Sequence, residues 1–234
     1  MRTIGWLIGL SLGSTPFFAG AQQSPVTVQI GSTSAGAVSN AVVWLSPLDH
    51  PLSASDHQRH GHQRPRLAQR NKSFEPHLLV VEVGTAVDFP NRDPFFHNVF
   101  SLFDGKRFDL GLYEAGATNS ALFDRGGVSF LFCNIHPEMS AVVVAVNTPY
   151  YAISDRSGRA SLTDVPDGQY EMHVWSERAL PEDLAKQTRA VTISSTSRTL
   201  PPIHLADNPN VTTAHKNKYG QDYVPPPDNT YSHP

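Results

Sequence analysis

Short apolar runs with a two-residue period, each closed by turn residues, most constrain the fold of this chain. Residues 26–30 alternate as a half-buried strand does, and 169–176 repeat the pattern with Tyr170, Met172 and Val174 on one face. The chain also carries 19 Pro and 16 Gly, which favour turns over long helices. The sequence therefore predicts an all-β protein. The predicted strands cover 26–30, 41–45, 78–83, 86–89, 98–103, 107–112, 120–123, 128–133, 141–146, 150–153, 159–162, 169–176, 190–193 and 203–205, with a short helix over 181–186.

Polar stretches between the strands indicate how the chain is organised. Residues 49–70 are rich in His and Arg without a periodic pattern, which is typical of a surface loop. Pro149 marks a boundary, and the last thirty or so residues are Asn-, Thr- and Pro-rich with few apolar side chains. The expected parts are a signal peptide (1–21), a first β domain (22–148) with a His-rich loop (49–70), a second β segment (149–205) that shares strands of 26–45, and an extended or disordered tail (206–234).

The first 21 residues have the pattern of a secretory signal peptide. Arg2 supplies the positive start, residues 4–18 are mostly apolar, and Ala19-Gly20-Ala21 is a small-x-small cleavage site. A retained membrane anchor is the alternative, but the apolar stretch is short and contains Pro16. No later segment is apolar enough to span a bilayer. We therefore expect a periplasmic or secreted protein with no membrane span after cleavage.

Charge and cysteine content exclude several function classes. The net charge is -3 and charged residues make up 17% of the chain, so there is no basic excess for binding nucleic acid. The single cysteine, Cys133, excludes an intramolecular disulfide and an Fe–S cluster. A free thiol in an oxidising compartment is prone to oxidation unless burial or a metal protects it.

One short stretch concentrates metal-binding side chains. Cys133, His136 and Met139 place a thiol, an imidazole and a thioether within seven residues between two predicted strands, and His97 can add a second imidazole from another loop. Two His, one Cys and a weak axial Met are the ligand set of a blue-copper electron-transfer site. Such a set leaves no open position for substrate. The alternative is a buried cysteine with incidental neighbours.

The stretch from about residue 74 to 146 resembles the cupredoxins, the group of plastocyanin, amicyanin and pseudoazurin. The resemblance rests on Phe74-Glu75-Pro76, on residues 84–93, on His97-Asn98-Val99 and on the spacing Cys133-x2-His136-x2-Met139. The whole chain also resembles a bacterial group labelled methylamine-utilisation or plastocyanin-like proteins. The resemblance implies a Greek-key β-sandwich holding one type 1 copper ion.

The resemblance also assigns roles to single residues. His97, Cys133 and His136 would be the equatorial ligands and Met139 the axial one. Asn98, after the first His, would help to fix the ligand loops and donate its backbone N–H to the cysteine sulfur. Plastocyanin and amicyanin carry Pro two residues after the Cys, whereas this chain has Ile135, whose N–H can donate to the sulfur as well. The edge of His136, framed by Phe95, Phe96 and Pro137, would be the electron exit.

Residues 155–170 resemble a different family, the carboxypeptidase-regulatory-like, transthyretin-type β-sandwich. That family has an early Ala-x-Val strand, which Ala41-Val42-Val43 can supply. The fold expected for the chain is therefore a cupredoxin Greek-key β-sandwich plus a smaller transthyretin-like β-sandwich. The sequence leaves tandem and inserted orders open.

The function expected from these features is electron transport. We expect a non-enzymatic monomer that carries single electrons between transient redox partners, such as a dehydrogenase and a c-type cytochrome. A copper-binding or copper-delivery protein without an electron-transfer role is the alternative, using His50, His57, His60 and His62 of the loop. A third interpretation is a structural β domain that has only kept the motif.

Overall fold

The protein was analysed as a computed structural model that describes residues 23–34, 36–53, 56–58, 64–102, 105–208 and 215–223. The predicted signal peptide lies outside these residues. Within the described part, no helix has the length and apolar character needed to cross a bilayer. The strands are β1 (Val26–Ser32), β2 (Gly36–Ala37), β3 (Val42–Pro47), β4 (Ala68–Arg70), β5 (Ser73–Glu75), β6 (Leu78–Glu82), β7 (Thr85–Pro90), β8 (His97–Ser101), β9 (Phe108–Tyr113), β10 (Thr118–Phe123), β11 (Gly127–Phe132), β12 (Ser140–Val146), β13 (Tyr151–Ile153), β14 (Arg159–Leu162), β15 (Gly168–Trp175), β16 (Arg189–Ile193) and β17 (Ile203–Leu205). The α-helix α1 covers Pro181–Gln187, and a 3-10 turn covers Asp56–Gln58.

The all-β prediction is confirmed, since every predicted strand is present with small shifts at its ends. The prediction of a surface loop over 49–70 is wrong for the last residues of this range. Leu67 and Ala68 are buried, and β4 pairs with β5 in an antiparallel hairpin. The residues around Leu67 are polar and show no apolar period, so the sequence does not indicate this strand. Its position depends instead on main-chain contacts with residues distant in the sequence. One such contact is the hydrogen bond of 2.9 Å from the Leu67 N–H to the Asp88 carbonyl.

Strand pairing arranges the described residues into five sheets. The largest has the order β6-β12-β11-β8-β9, in which β6 and β12 are parallel and the other neighbours are antiparallel. Two ribbons, β7–β10 and β4–β5, accompany it. The remaining sheets have the orders β14-β1-β17, with β2 added beside β1, and β13-β3-β15-β16.

The first long strands pair with the last part of the chain. β1 lies between β14 and β17, and β3 lies between β13 and β15. The chain therefore leaves these two sheets after β3, builds β4 to β12, and returns to them at β13. The domain boundaries given above stay predictions.

β3 buries both of its faces. Val43 and Leu45 belong to a core cluster shared with β1, β14 and β15, whereas Val42 and Trp44 pack into a different cluster with β6 and β12. A strand covered on both faces needs apolar residues at every position, which explains the continuous run at 41–45.

β12 is also buried on both faces, and one of these faces packs against β3. Ala141, Val143 and Ala145 face the core that also contains Cys133, whereas Val142, Val144 and Val146 face β3. The shared middle cluster fastens the sheet that carries the candidate site to the sheet β13-β3-β15-β16. The site is therefore built on a strand that packing fixes from two directions.

His77 adds a polar link across the same contact. Its Nδ1 lies 3.1 Å from the carbonyl oxygen of Ser140, and its Nε2 lies 2.7 Å from the carboxylate of Glu177, which follows β15. The hydrogen bond to Glu177 raises the pKa of His77 above its ordinary value of 6.5, against a smaller opposing effect of burial. The folded protein therefore holds this proton more tightly than the unfolded chain does.

We expect the His77 link to stabilise the fold most at low pH. Its contribution is complete below a pH of 6.5 and disappears as the pH rises through the higher folded pKa. Because both side chains are partly exposed, the effect is at most about 1 kcal/mol. His77→Gln should flatten this part of the pH dependence of the unfolding free energy, measured by urea denaturation. His204→Gln, at an exposed position on β17, is the control for replacing a histidine. Equal slopes for wild type and His77→Gln would contradict the expectation.

Candidate metal centre

The connection between β11 and β12 forms the loop that carries three of the predicted site residues. Antiparallel pairing of Phe132 with Ser140 brings the two ends of this loop together. The Cys133 N–H then donates to the Met139 carbonyl at 3.3 Å, and the Met139 N–H donates to the His136 carbonyl at 3.1 Å. The turn therefore holds His136 between two residues that are neighbours across the strand ends.

β8 brings the fourth residue to this loop. β8 pairs with β11 in the same sheet, and His97 is its first residue. His97 Nδ1 lies 3.8 Å from Cys133 Sγ, and His136 Nδ1 lies 3.5 Å from the same sulfur. The donor atoms of the three side chains all lie within 4.8 Å of one another. Met139 is fully buried in the same core cluster as Cys133.

Cys133 is surrounded by backbone N–H groups inside the core. Its side chain is fully buried, and this burial raises the pKa of the thiol. The N–H groups of Asn98, Ile135 and His136 act in the opposite direction, because a hydrogen bond to sulfur favours the thiolate. The sulfur is therefore shielded from solvent, and backbone N–H groups are in place to stabilise the negative charge of a thiolate.

Asn98 connects β8 to β9 through its side chain. Its Nδ2 donates to Asp109 Oδ1 at 2.7 Å and to the Gly111 carbonyl at 2.8 Å. These bonds fix the strand that carries His97, and they run away from the loop of residues 133–139. The expected role of Asn98 in fixing the ligand loops therefore depends on further residues that contact Asp109.

A buried carboxylate sets the orientation of His97. Asp93 Oδ2 lies 2.8 Å from His97 Nε2, and both residues are almost completely buried. A carboxylate at Nε2 fixes the proton there, which leaves the lone pair of Nδ1 free on the side of Cys133. Asp93 therefore prepares His97 to act as a ligand through Nδ1.

The hairpin β4–β5 holds Asp93 in place. Its two turn residues, Asn71 and Lys72, both have a φ of 53°, and their N–H groups donate to the Asp93 carboxylate at 2.6 and 2.9 Å. Two successive left-handed residues form the turn that joins strands with a two-residue loop. Burial alone would raise the pKa of Asp93, but these N–H groups and His97 together hold that pKa below its ordinary value.

His136 occupies the outer side of the cluster. Its imidazole is half-buried, and burial together with the nearby His97 lowers its pKa. A neutral imidazole keeps a lone pair for a metal. The ring of Phe95 lies 5.6 Å from that of His136 and 5.2 Å from that of His97, so it covers the two imidazoles on one side.

The donor chemistry of this cluster fits copper. Two imidazoles, one buried and one half-buried, meet a buried thiol, and Met139 in the same core cluster as the thiol adds a buried thioether. Soft donors of this kind suit copper rather than Mg or Ca. In the part of the chain that the structure describes, these three His and Cys side chains form the single group of this kind close enough to share an ion.

The histidines of the 49–70 segment are arranged differently. His50 pairs with Asp49 and His57 pairs with Glu82, each at 2.6 Å. His60 and His62 lie outside the described residues. In the described part of this segment the two histidines therefore contact separate carboxylates rather than share a metal site.

Two elements of the site are absent from the sequence prediction. The sequence prediction gives Asp93 no role. A carboxylate four residues before a ligand His is the signal that could have indicated one. The other element is the segment 215–223, expected to be part of an extended or disordered tail. It packs against the ligand loop, with Tyr223 Oη donating to the Cys133 carbonyl at 2.5 Å.

Comparison with solved structures gives partial matches. A purple cupredoxin from Nitrosopumilus maritimus matches at 23% identity over 35% of this chain and 99% of its own, with a TM-score of 0.33. A variant of amicyanin in its Cu(I) state matches at 20% identity over 44% of this chain and 98% of its own, with a TM-score of 0.34. The copper-containing nitrite reductase from Thermus scotoductus SA-01 matches at 21% identity over 43% of this chain and 25% of its own, with a TM-score of 0.35. No protein-family model and no curated protein matches the chain.

Replacing Asp93 with Asn should loosen His97. The amide introduced by Asp93→Asn would retain one acceptor but lose the charge that fixes the Nε2 proton, so we expect a loss of about 1–3 kcal/mol in unfolding free energy. The tautomer of His97 is measured by nitrogen NMR of the metal-free protein, which should show the Nε2–H form in the wild type and a mixture in Asp93→Asn.

The matched control is Asp124→Asn, which removes a carboxylate from an exposed ion pair with Lys106. This change should lower the unfolding free energy far less than Asp93→Asn does, because solvent screens the exposed pair, and it should leave the His97 signals unchanged. A His97 tautomer that is unaffected by Asp93→Asn would show that the carboxylate does not orient the ring.

Proposed function

We propose that this chain is an exported mononuclear type 1 copper protein that carries single electrons between redox partners. The observation that carries the proposal is the cluster of buried His97 and Cys133 with half-buried His136, whose donor atoms lie within 4.8 Å of one another. The cupredoxin-like motif around these residues and the adjacent buried Met139 support a copper ion over other metals.

The surroundings of the cluster suit electron transfer. A bound copper ion would supply a one-electron couple between Cu(I) and Cu(II). Asp93 holds His97, the paired ends of β11 and β12 hold Cys133 and Met139, and N–H groups stabilise the sulfur. Ligands fixed by packing and hydrogen bonds move little when the charge changes, which keeps the reorganisation cost small.

The ligand set supports an electron carrier over an enzyme. Three equatorial donors and the thioether of Met139 would fill the coordination of one ion. Catalytic metal sites instead keep a position open for water or substrate. We therefore assign no catalytic role to this centre.

The outer surface beside His136 supports transient docking of a redox partner. Phe95, Phe96 and Ile135 are 37%, 56% and 43% exposed. The ring of Phe95 lies 5.6 Å from that of the half-buried His136, and Ile135 precedes His136 in the chain. A small apolar patch of this kind suits the weak, short-lived interfaces of electron-transfer complexes. A c-type cytochrome and a dehydrogenase are the proposed classes of partner, and the signal-peptide pattern at 1–21 supports their encounter in the periplasm or outside the cell.

Optical and EPR spectra of the copper-loaded mature protein test the proposal. We expect an intense absorption from the thiolate-to-Cu(II) transition that disappears with a reductant and returns on oxidation. Cys133→Ser should abolish this band because the serine oxygen cannot replace the thiolate. His204→Gln, which changes a histidine on β17 in a different sheet, should leave it intact. A blue band that survives in Cys133→Ser would refute the ligand assignment.

Ile135→Pro should lower the reduction potential of the copper centre. Proline has no N–H, so this variant removes one of the donors that stabilise the thiolate and thereby favour Cu(I). The midpoint potential is measured by redox titration of the blue band. Ile135→Ala keeps the N–H and serves as the control for the lost side chain. A midpoint in Ile135→Pro equal to or above that of Ile135→Ala would refute this role of the N–H.

A further inference from the structure

Residues 215–223, here named the C-terminal strap, lie against the loop that carries Cys133, His136 and Met139. Tyr223 Oη donates to the carbonyl oxygen of Cys133 at 2.5 Å. The backbone N–H of Lys218 donates to the side-chain oxygen of Asn134 at 2.9 Å. The strap therefore bonds to Cys133 itself and to the residue that follows it.

Lys218 also reaches the other side of the cluster. Its ammonium forms an ion pair of 2.8 Å with Asp109 Oδ2, and Asp109 Oδ1 accepts the hydrogen bond of 2.7 Å from Asn98. Asn98 directly follows His97 and directs its N–H to the Cys133 sulfur. A continuous chain of polar contacts thus runs from the strand of His97 through Asp109 and Lys218 to the loop of Cys133.

An aromatic contact completes the attachment of the strap. The ring of His215 packs at a tilt of 31° against Phe132 with a centroid distance of 4.1 Å, and Tyr223 packs edge-on against His215 at 5.3 Å. Phe132 is the residue before Cys133. The strap therefore contacts three consecutive residues, Phe132, Cys133 and Asn134.

The strap has its own turn, which fixes the spacing of these contacts. The Asn217 side-chain oxygen accepts hydrogen bonds from the N–H groups of Tyr219 and Gln221 at 2.9 and 3.0 Å. Lys218 and Tyr223 are partly buried against the ligand loop, whereas Lys216 and Tyr219 are exposed. The turn thus presents one pair of side chains to the ligand loop and the other pair to solvent.

We infer that the C-terminal strap is a working part of the metal centre, in which Lys218 and Tyr223 are positioning residues that hold Cys133 and tie the two ligand-bearing segments together. The inference rests on the proposed function, since it assigns the strap to the copper site. A loop held at both strand ends still has freedom between them, and the bonds to Cys133 and Asn134 restrict that freedom. Without them the sulfur would become more accessible and any bound copper would leave faster.

Alkylation of Cys133 by iodoacetamide in the metal-free full-length protein tests the positioning role. Because reaction requires the buried thiol to reach solvent, Lys218→Met and Tyr223→Phe should each react roughly fivefold faster than the wild type. Lys216→Met and Tyr219→Phe are the matched controls in the same strap and should react at the wild-type rate. Lys218→Arg keeps the charge that pairs with Asp109 and should restore most of the protection.

Copper release from the same variants tests the link to the proposed function. After loading with Cu(II), the blue band should decay faster into a chelator in Lys218→Met and Tyr223→Phe than in their controls. Alkylation rates in these two variants equal to the control rates would overturn the role of the strap, whether or not copper binds. A wild-type protein that takes up no copper would overturn the proposed function instead, so the two failures are distinguishable.

Discussion

The antiparallel pairing of β11 with β12 is the constraint on which the site depends. It ends with Phe132 opposite Ser140, so the seven residues between them must turn back within a short distance. Cys133 and Met139 thereby become neighbours at the edge of the core. Because β12 is packed on both faces, a change in its position would disturb two core clusters at once. The location of the sulfur is therefore fixed by apolar packing before any polar contact of the site is considered.

The polar contacts around the cluster then fix orientation rather than position. Asp93 aligns the ring of His97, and the hairpin turn at Asn71 and Lys72 aligns Asp93. Each of these polar groups forms a hydrogen bond with the next, and in this way buried polar side chains avoid the cost of lost hydration. A metal-free centre of this kind is held by the protein, so an incoming ion would find donors that already converge.

The parts that the sequence predicts well are those with local patterns. The strands follow from β-branched runs, and Val-rich β12 and β3 form continuous apolar runs because both faces are buried. The convergence of His97 with Cys133 also follows from residue types and from the resemblance of their spacing to a known family. In contrast, β4 and the C-terminal strap are held by hydrogen bonds and single aromatic contacts to residues far away in the chain. Such contacts leave no periodic signal, and a polar, Pro-rich tail has the same composition whether it docks or not.

In the proposed copper centre, the two buried hydrogen-bonding systems act on the reduction potential in opposite directions. The negative charge of Asp93 beside His97 favours the more positive, oxidised ion. The N–H groups of Asn98, Ile135 and His136 withdraw charge from the sulfur, which favours the reduced ion. The first system is held by the β4–β5 hairpin, whereas the second comes from Asn98 on β8 and from the ligand loop. The strap bonds to the segments that carry the second system, directly at Cys133 and Asn134 and through Asp109 at Asn98, so its effect on the potential should follow that of the N–H donors.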